Sequence, residues 1–80
     1  MTQKILTNIF MEAKENKLDI CVEVTIPGQK DTEFIINKFG SIDNKLQYYL
    51  DTYDENLCHK RNKEIKIVNA FAIDFYVGEL

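Results

Sequence analysis

Residues 18–26, LDICVEVTI, decide the fold because their side chains alternate without interruption between two classes. Apolar residues occupy the even positions, whereas Asp19, Cys21, Glu23 and Thr25 occupy the odd positions. Successive side chains of a β-strand point to opposite faces of the sheet, so this pattern is typical of a strand with one buried face. The segment therefore predicts a strand that packs one face against other elements.

A second strand is predicted soon after the first. Pro27 and Gly28 suit the central positions of a type II turn, and residues 32–39 then return with the composition of a strand. We expect Phe34 and Ile36 to point inward, so that the two strands form a hairpin with a shared buried face. The residues expected to point outward are Glu33, Ile35 and Asn37.

Two amphipathic helices are predicted, one before and one after this hairpin. Thr2 can cap the first, Asn16 can end it in a left-handed conformation, and Ser41 can cap the second after Gly40. Apolar residues recur at three- and four-residue spacing in both segments, which indicates one buried stripe on each helix. The stripes are Ile5, Leu6, Ile9, Phe10 and Ala13 in the first helix, and Ile42, Leu46, Tyr49, Leu50, Tyr53 and Leu57 in the second.

Residues 64–77 form the last predicted strand, which is rich in β-branched and aromatic residues. In a regular strand the odd-numbered residues share one face, and here that face is apolar apart from Asn69. We expect it to be buried. Its apolar members are Ile65, Ile67, Phe71, Ile73, Phe75 and Val77.

The element order α-β-β-α-β predicts a single α+β domain over residues 1–80. The expected sheet has three strands, is mainly antiparallel and places the first strand between the other two. Both helices then pack on one face of this sheet. In the alternative arrangement, the third strand lies beside the second and runs parallel to it.

Composition narrows the classes of function. The chain has 80 residues, with 10 Lys and Arg against 13 Asp and Glu, so it has no excess of positive charge for a phosphate backbone. We therefore do not expect direct nucleic-acid binding. No apolar run approaches the roughly 20 residues of a membrane span, and residues 1–10 lack the pattern of a signal peptide. With two cysteines, a cytoplasmic protein with reduced thiols and no disulfide framework is expected.

Two helices on one side leave the other face of the sheet uncovered. The predicted composition of that face is too apolar for a plain wetted surface, and its small residues permit close approach of another sheet. We expect this face to mediate self-association as a homodimer, or to contact a partner. Its predicted residues are Cys21, Glu23, Thr25, Ile35, Val68, Ala70, Ala72 and Tyr76.

A second candidate surface is the exposed side of the predicted second helix. Tyr48 lies there among acidic residues, and an exposed aromatic residue in such a setting is a frequent binding hot spot. A short basic cluster follows this helix and is a candidate site for a phosphate group. The acidic surface comprises Asp43, Tyr48, Asp51, Asp54 and Glu55, and the candidate phosphate ligands are Lys60, Arg61 and Lys66.

The sequence carries no catalytic, cofactor or metal motif. Cys58 and His59 are the nearest approach to a nucleophile and base, but neighbouring residues point apart and a closed zinc site needs four ligands. We therefore predict no catalytic residue, no metal site and no cofactor. The expected function is binding, not catalysis.

Several short segments resemble small proteins encoded by phages and prophages of Gram-positive bacteria. These segments are EFIIN at 33–37, KLQYY at 45–49, YDENL at 53–57 and IKI at 65–67. The resemblance implies a role in the cytoplasm of an infected host, as an inhibitor of a host defence protein such as a CRISPR nuclease, in the manner of anti-CRISPR proteins. The alternatives are a sponge for a small nucleotide signal, and a structural or regulatory phage component.

Overall fold

The strand β1 (Asp19–Thr25) forms where the alternation predicts it and is the central strand of the sheet. The computed structural model describes residues 1–74. Within them, β2 (Glu33–Asn37) and β3 (Lys66–Ile73) both pair antiparallel with β1, in the order β2-β1-β3. The predicted α+β fold is confirmed, and the parallel placement of the third strand is wrong. Phe75 and Val77, predicted in the same strand, lie outside the described residues.

Helix α1 (Gln3–Glu15) begins at the predicted cap, where the Thr2 hydroxyl accepts a hydrogen bond from the Ile5 N–H at 3.3 Å. Its end differs from the prediction. Asn16 has a φ of −91°, and the left-handed residue is Lys17 with a φ of 58°. The Asn16 carboxamide instead donates to the Glu12 carbonyl oxygen, which satisfies one of the unpaired carbonyl groups of the last turn.

Helix α2 (Ile42–Thr52) follows a 3₁₀ turn at Phe39–Ser41, and Ser41 makes no side-chain cap. The helix ends earlier than its apolar stripe predicts. Tyr53 and Leu57 are nevertheless buried, because the chain turns after Thr52 and Leu57 adopts a left-handed φ of 60°. A stripe with helical spacing thus continues through a loop that packs on the same core.

Gln3 joins the start of α1 to the end of α2. Its side-chain amide donates to the carbonyl oxygens of Leu50 at 3.1 Å and Tyr53 at 2.9 Å, and its backbone N–H donates to the Glu55 carbonyl oxygen. Terminal carbonyl groups of a helix lack partners within the helix. Gln3 supplies donors to them and fixes the two helices against each other.

Both helices pack on one face of the sheet, which we call the helix face. Ile20, Val22 and Val24 of β1 point to it, and each is at most 1% exposed. The rings of Phe10 on α1 and Tyr49 on α2 meet edge to face at 5.9 Å. The buried cluster consists of Leu6, Phe10, Ala13, Ile20, Val22, Val24, Ile42, Leu46, Tyr49, Tyr53, Leu57, Ile67 and Ala70.

A buried polar pair lies within this core. Asn37 at the end of β2 is 1% exposed, and its side-chain oxygen accepts a hydrogen bond from the Tyr49 hydroxyl at 3.0 Å. The Asn37 amide nitrogen donates to the carbonyl oxygens of Ile20 and Ile35. Burial raises the pKa of Tyr49 to about 12, so the hydroxyl keeps its proton and remains a donor. Asn37 therefore points inward, contrary to the prediction for β2.

Candidate functional site

The strand register determines which side chains lie on the face opposite the helices, which we call the open face. Residues directly opposite each other in an antiparallel pair project to the same face. Cys21 pairs with Ile36 on one side and with Phe71 on the other, and Glu23 pairs with Phe34 and Asn69. The odd residues of β1 point away from the helix core. The open face therefore contains Cys21, Glu23, Phe34, Ile36, Asn69 and Phe71.

A bulge in β3 moves Phe71 onto this face. Glu23 pairs with Asn69 and Val24 pairs with Ile67, so Val68 is an extra residue that has no pairing partner on β1. An extra residue reverses the alternation beyond it. Ile67 before the bulge is buried at 2% exposure, and Ala70 after it is buried at 6%. Both the odd-numbered Ile67 and the even-numbered Ala70 thus face the helices.

This register corrects the predicted uncovered face. Ile35 and Ala70 both pair with Val22, and Ala72 pairs with Ile20, so all three lie on the helix face. Cys21 and Glu23 lie on the open face, while Tyr76 is outside the described residues. Phe34, Ile36 and Phe71, predicted to be buried, replace them. A signal was present in the sequence: Asn69 interrupts the predicted apolar face of β3 at the bulge.

The open face is more apolar than the predicted one. Phe34 is 57% exposed, Ile36 and Phe71 are each 42% exposed, and Val68 at the bulge is 43% exposed. On the open face, Phe34, Ile36 and Phe71 together present roughly 300 Å² of apolar surface, which lies at the lower end of the range for the largest apolar patch on a typical monomer, a patch that is often functional. No described element covers it, because α1, α2 and the loop carrying Leu57 all pack on the helix face.

Carboxylates border this apolar strip along β1. The Thr32 hydroxyl donates to Glu23 Oε2 at 2.6 Å, which fixes the carboxylate beside Phe34. At the other end of the strand, Asp19 Oδ1 accepts the Phe39 N–H at 2.6 Å, and its Oδ2 lies 3.6 Å from Lys38 Nζ. The central strand of the open face thus has an acidic side chain at each end of its apolar middle.

Cys21 occupies the centre of the open face but is only 4% exposed. Its cross-strand neighbours Ile36 and Phe71 flank it on both sides. Burial, and secondarily the charge of Glu23, raise the pKa of the thiol. A thiol held in its protonated form is a small apolar group and a poor nucleophile. Cys21 therefore serves the open face as a small apolar side chain that packs between Ile36 and Phe71.

The predicted acidic surface is divided by the structure. Asp43, Tyr48 and Asp51 lie on α2, but Asp54 and Glu55 lie beyond its end at Thr52. Asp43 pairs with Lys14 at 2.8 Å, which offsets its charge, and Asp51 accepts a hydrogen bond from Gln47. Tyr48 is 53% exposed and rests its ring against Tyr49 at 5.3 Å. An uninterrupted acidic helix is therefore absent from the described residues.

Asp54 organises the loop that follows α2. Its Oδ1 accepts the backbone N–H groups of Asn56 and Cys58, and its Oδ2 pairs with the Lys63 ammonium. The hydrogen bond from Lys63 is the main reason that the pKa of Asp54 is lowered. The segment from 53 to 66 is held further by isolated bridges of Tyr53 with His59 and of Cys58 with Lys66. Asp54 thus stabilises the conformation of this loop, and both of its carboxylate oxygens bond to groups of the loop itself.

The basic cluster is likewise divided. His59, Lys60 and Arg61 line a cleft of about 370 Å³ with Asp51 and Thr52. Lys66 is not part of this cleft, because it lies on β3 opposite Thr25. The cleft adjoins the carboxyl end of α2, whose dipole is negative, and contains the Asp51 carboxylate. Both features oppose a bound phosphate.

Cys58 and His59 do not form a nucleophile and base pair. The His59 Nδ1 accepts the Arg61 N–H at 3.1 Å, and its ring lies edge-on to Tyr53 at 5.3 Å. The Cys58 sulfur lies 4.0 Å from the Asn56 carbonyl oxygen. Among residues 1–74, no cluster of three or more His, Cys, Asp and Glu side chains is arranged to hold a metal ion. No helix in the same range has the length and apolar character to cross a membrane.

Comparisons of the chain with known protein families, with curated proteins and with solved structures found no match. The surfaces themselves are therefore the basis for a functional proposal.

Proposed function

We propose that this protein is a non-catalytic binding protein whose partner docks on the open face. The observation that carries this proposal is the exposure of Phe34, Ile36 and Phe71 on one face that no described element covers. Large apolar side chains are costly to leave in water. A macromolecular partner that covers them recovers this free energy.

The chemistry of the face favours a protein partner. Ligand sites for small molecules are concave pockets, whereas a flat apolar centre with a polar rim is the usual anatomy of a protein interface. Phe34 and Phe71 supply the aromatic anchors, and Glu23 and Thr32 supply part of the rim. The partner that fits has an apolar patch of its own and a Lys or Arg side chain opposite Glu23.

A second copy of the chain fits the open face less well than a foreign protein does. Suppose that two copies stack face to face about a twofold axis near Cys21. Glu23 of one copy then lies over either Asp19 or Glu23 of the other, depending on the direction of the axis. Like charges brought together in a partly desolvated interface oppose association. This reasoning revises the predicted homodimer through the sheet face.

The resemblance to phage proteins supplies the partner class to test first. We propose a host defence protein, such as a CRISPR nuclease, as the partner of the open face. The acidic helix supports this proposal less, because Asp43 is paired with Lys14 and Asp54 with Lys63.

The test is affinity capture from host lysate, followed by direct binding and inhibition assays with the purified captured protein. Phe71→Glu is expected to weaken binding at least ten-fold, because it replaces an aromatic anchor of the contact by a charge. The matched control is Tyr48→Glu on α2, which places the same charge at another exposed aromatic residue and is expected to change affinity less than two-fold. The reverse ranking would assign the contact to α2. Absence of any specific partner would overturn the proposal.

The second candidate is a sponge for a small nucleotide signal, favoured by the convergence of His59, Lys60 and Arg61 on one cleft. The Asp51 carboxylate in the same cleft weakens it. Isothermal titration with cyclic nucleotides decides the question, since a sponge must bind at micromolar concentration or below and Arg61→Ala must reduce that binding. A purely structural or regulatory phage role is distinguished by capture of a phage protein in place of a host protein.

A further inference from the structure

We infer that β2 is a self-pairing edge, at which a second copy of this chain adds its own β2 antiparallel and extends the sheet. The pairing lies along the rim of the sheet, and it does not depend on what docks on the open face. β2 is an outer strand of the sheet, so one of its two edges has no strand beside it within residues 1–74. Unpaired backbone groups along such an edge are a template for another strand.

β2 carries few of the features that protect an edge. Natural edge strands are usually blunted by Pro, by bulges, by short length or by charges, and β2 has only its five-residue length and Glu33 on the helix face. β2 has the sequence EFIIN, its pairing with β1 is regular, and Glu33, Phe34, Ile35 and Ile36 are all exposed. The opposite edge of the sheet differs, because β3 carries the bulge at Val68 and its first residue is bridged to Cys58. β2 is therefore the better edge for pairing.

The sequence of β2 is complementary to itself in one antiparallel register. A twofold axis beside Ile35 places Phe34 of each copy opposite Ile36 of the other. These aromatic and β-branched pairs lie on the open face, where such cross-strand pairs stabilise a sheet. On the helix face, Ile35 meets its equivalent and Glu33 lies opposite Asn37. All of the apolar side chains of the strand then have apolar neighbours.

Charge opposes one competing register. A register centred on Glu33 places the two Glu33 carboxylates together, which disfavours pairing. The register centred on Ile35 separates them and gives every apolar side chain of β2 an apolar neighbour in the second copy. This self-complementarity is the reason that we infer a second copy as the occupant.

The expected assembly is a reversible dimer. β2 has five residues, so edge pairing buries less than the roughly 1,200 Å² of a standard stable interface. We therefore expect a monomer–dimer equilibrium that depends on protein concentration. In the dimer, the two open faces join into one six-stranded surface with Phe34 and Ile36 of both copies at its centre.

The experiment is sedimentation velocity over a concentration series from micromolar to millimolar, with the full chain. Wild type is expected to shift from monomer to dimer. Ile35→Lys is expected to raise the dissociation constant at least ten-fold, because it opposes two charges at the axis. Two controls add the same charge on β3, at the other edge of the sheet: Val68→Lys at the bulge and Phe71→Lys on the open face. Both are expected to leave the equilibrium within about two-fold of wild type, and circular dichroism verifies that each variant folds.

A cysteine variant reports the register directly. In a Cys58→Ser background, Ile35→Cys is expected to form a disulfide-linked dimer under mild oxidation, whereas Glu33→Cys on the same strand and face is not. Three results overturn the inference. They are a wild-type chain that remains monomeric throughout, an Ile35→Lys variant that dimerises like wild type, and loss of dimerisation in Phe71→Lys but not in Ile35→Lys. The last result assigns self-association to stacked open faces.

Discussion

The two faces of one sheet differ in what their apolar side chains do. On the helix face, Phe10 is fully buried and Val22 is fully buried beneath the two helices. On the open face, Phe34 and Phe71 are comparably apolar but remain largely exposed. The first set contributes to folding, whereas the second set is available for association. Hydrophobicity alone therefore does not distinguish core from interface in this chain, and the pairing register does.

The two faces are expected to differ most in how much a truncated phenylalanine lowers the free energy of unfolding. Phe10→Ala is expected to lower the free energy of unfolding by about 3–5 kcal/mol, because it leaves a cavity in a small core. Phe34→Ala on the open face is expected to cost less than about 1 kcal/mol. Urea denaturation monitored by circular dichroism at low protein concentration measures both. Equal losses would show that Phe34 is buried in solution and that the open face is not open.

A smaller difference is expected for the two neighbouring tyrosines of α2. Tyr49→Phe removes the hydroxyl that donates to the buried Asn37 and is expected to cost about 1–3 kcal/mol, because the Asn37 oxygen loses its partner. Tyr48→Phe, at an exposed position, is expected to change the free energy of unfolding by less than about 0.5 kcal/mol. The pair is compared by denaturation at pH 7. A tolerated Tyr49→Phe would mean that Asn37 does not depend on this bond to remain on the helix face.

A small effect on stability is also expected from deleting Val68, the extra residue of the bulge. Without it, Ile67, Ala70 and Ala72 still face the helices and Phe71 still faces outward, so the strand becomes regular. We expect a change in the free energy of unfolding of less than about 1 kcal/mol. Deleting Ala70 is the matched control, because it drives Phe71 into the core position. If the Val68 deletion unfolds the protein and the Ala70 deletion does not, the bulge lies elsewhere.

Much of the helix face was predictable from sequence. Ile20, Val22 and Val24 alternate with polar residues, and Leu6, Phe10, Ile42 and Leu46 recur at helical spacing. These signals are local, so they specify element type and buried side together. The composition of the candidate site was not predictable in the same way. β2 has apolar residues on both of its faces, and alternation alone gives no reason to bury Phe34 and expose Ile35, or the reverse.

The sequence by itself determined the types and the order of the elements, but it left the third strand beside either the first or the second. Only the tertiary structure placed β1 at the centre of the sheet and decided which side chains are left for function. Pairing with β1 put Asn37 beside Tyr49, and thereby turned Phe34 and Ile36 outward. The bulge at Val68 likewise turned Phe71 outward, onto the open face. The physical reason is that alternation is a property of one strand, whereas register is a relation between strands far apart in the chain, and a shift of one residue exchanges the two faces.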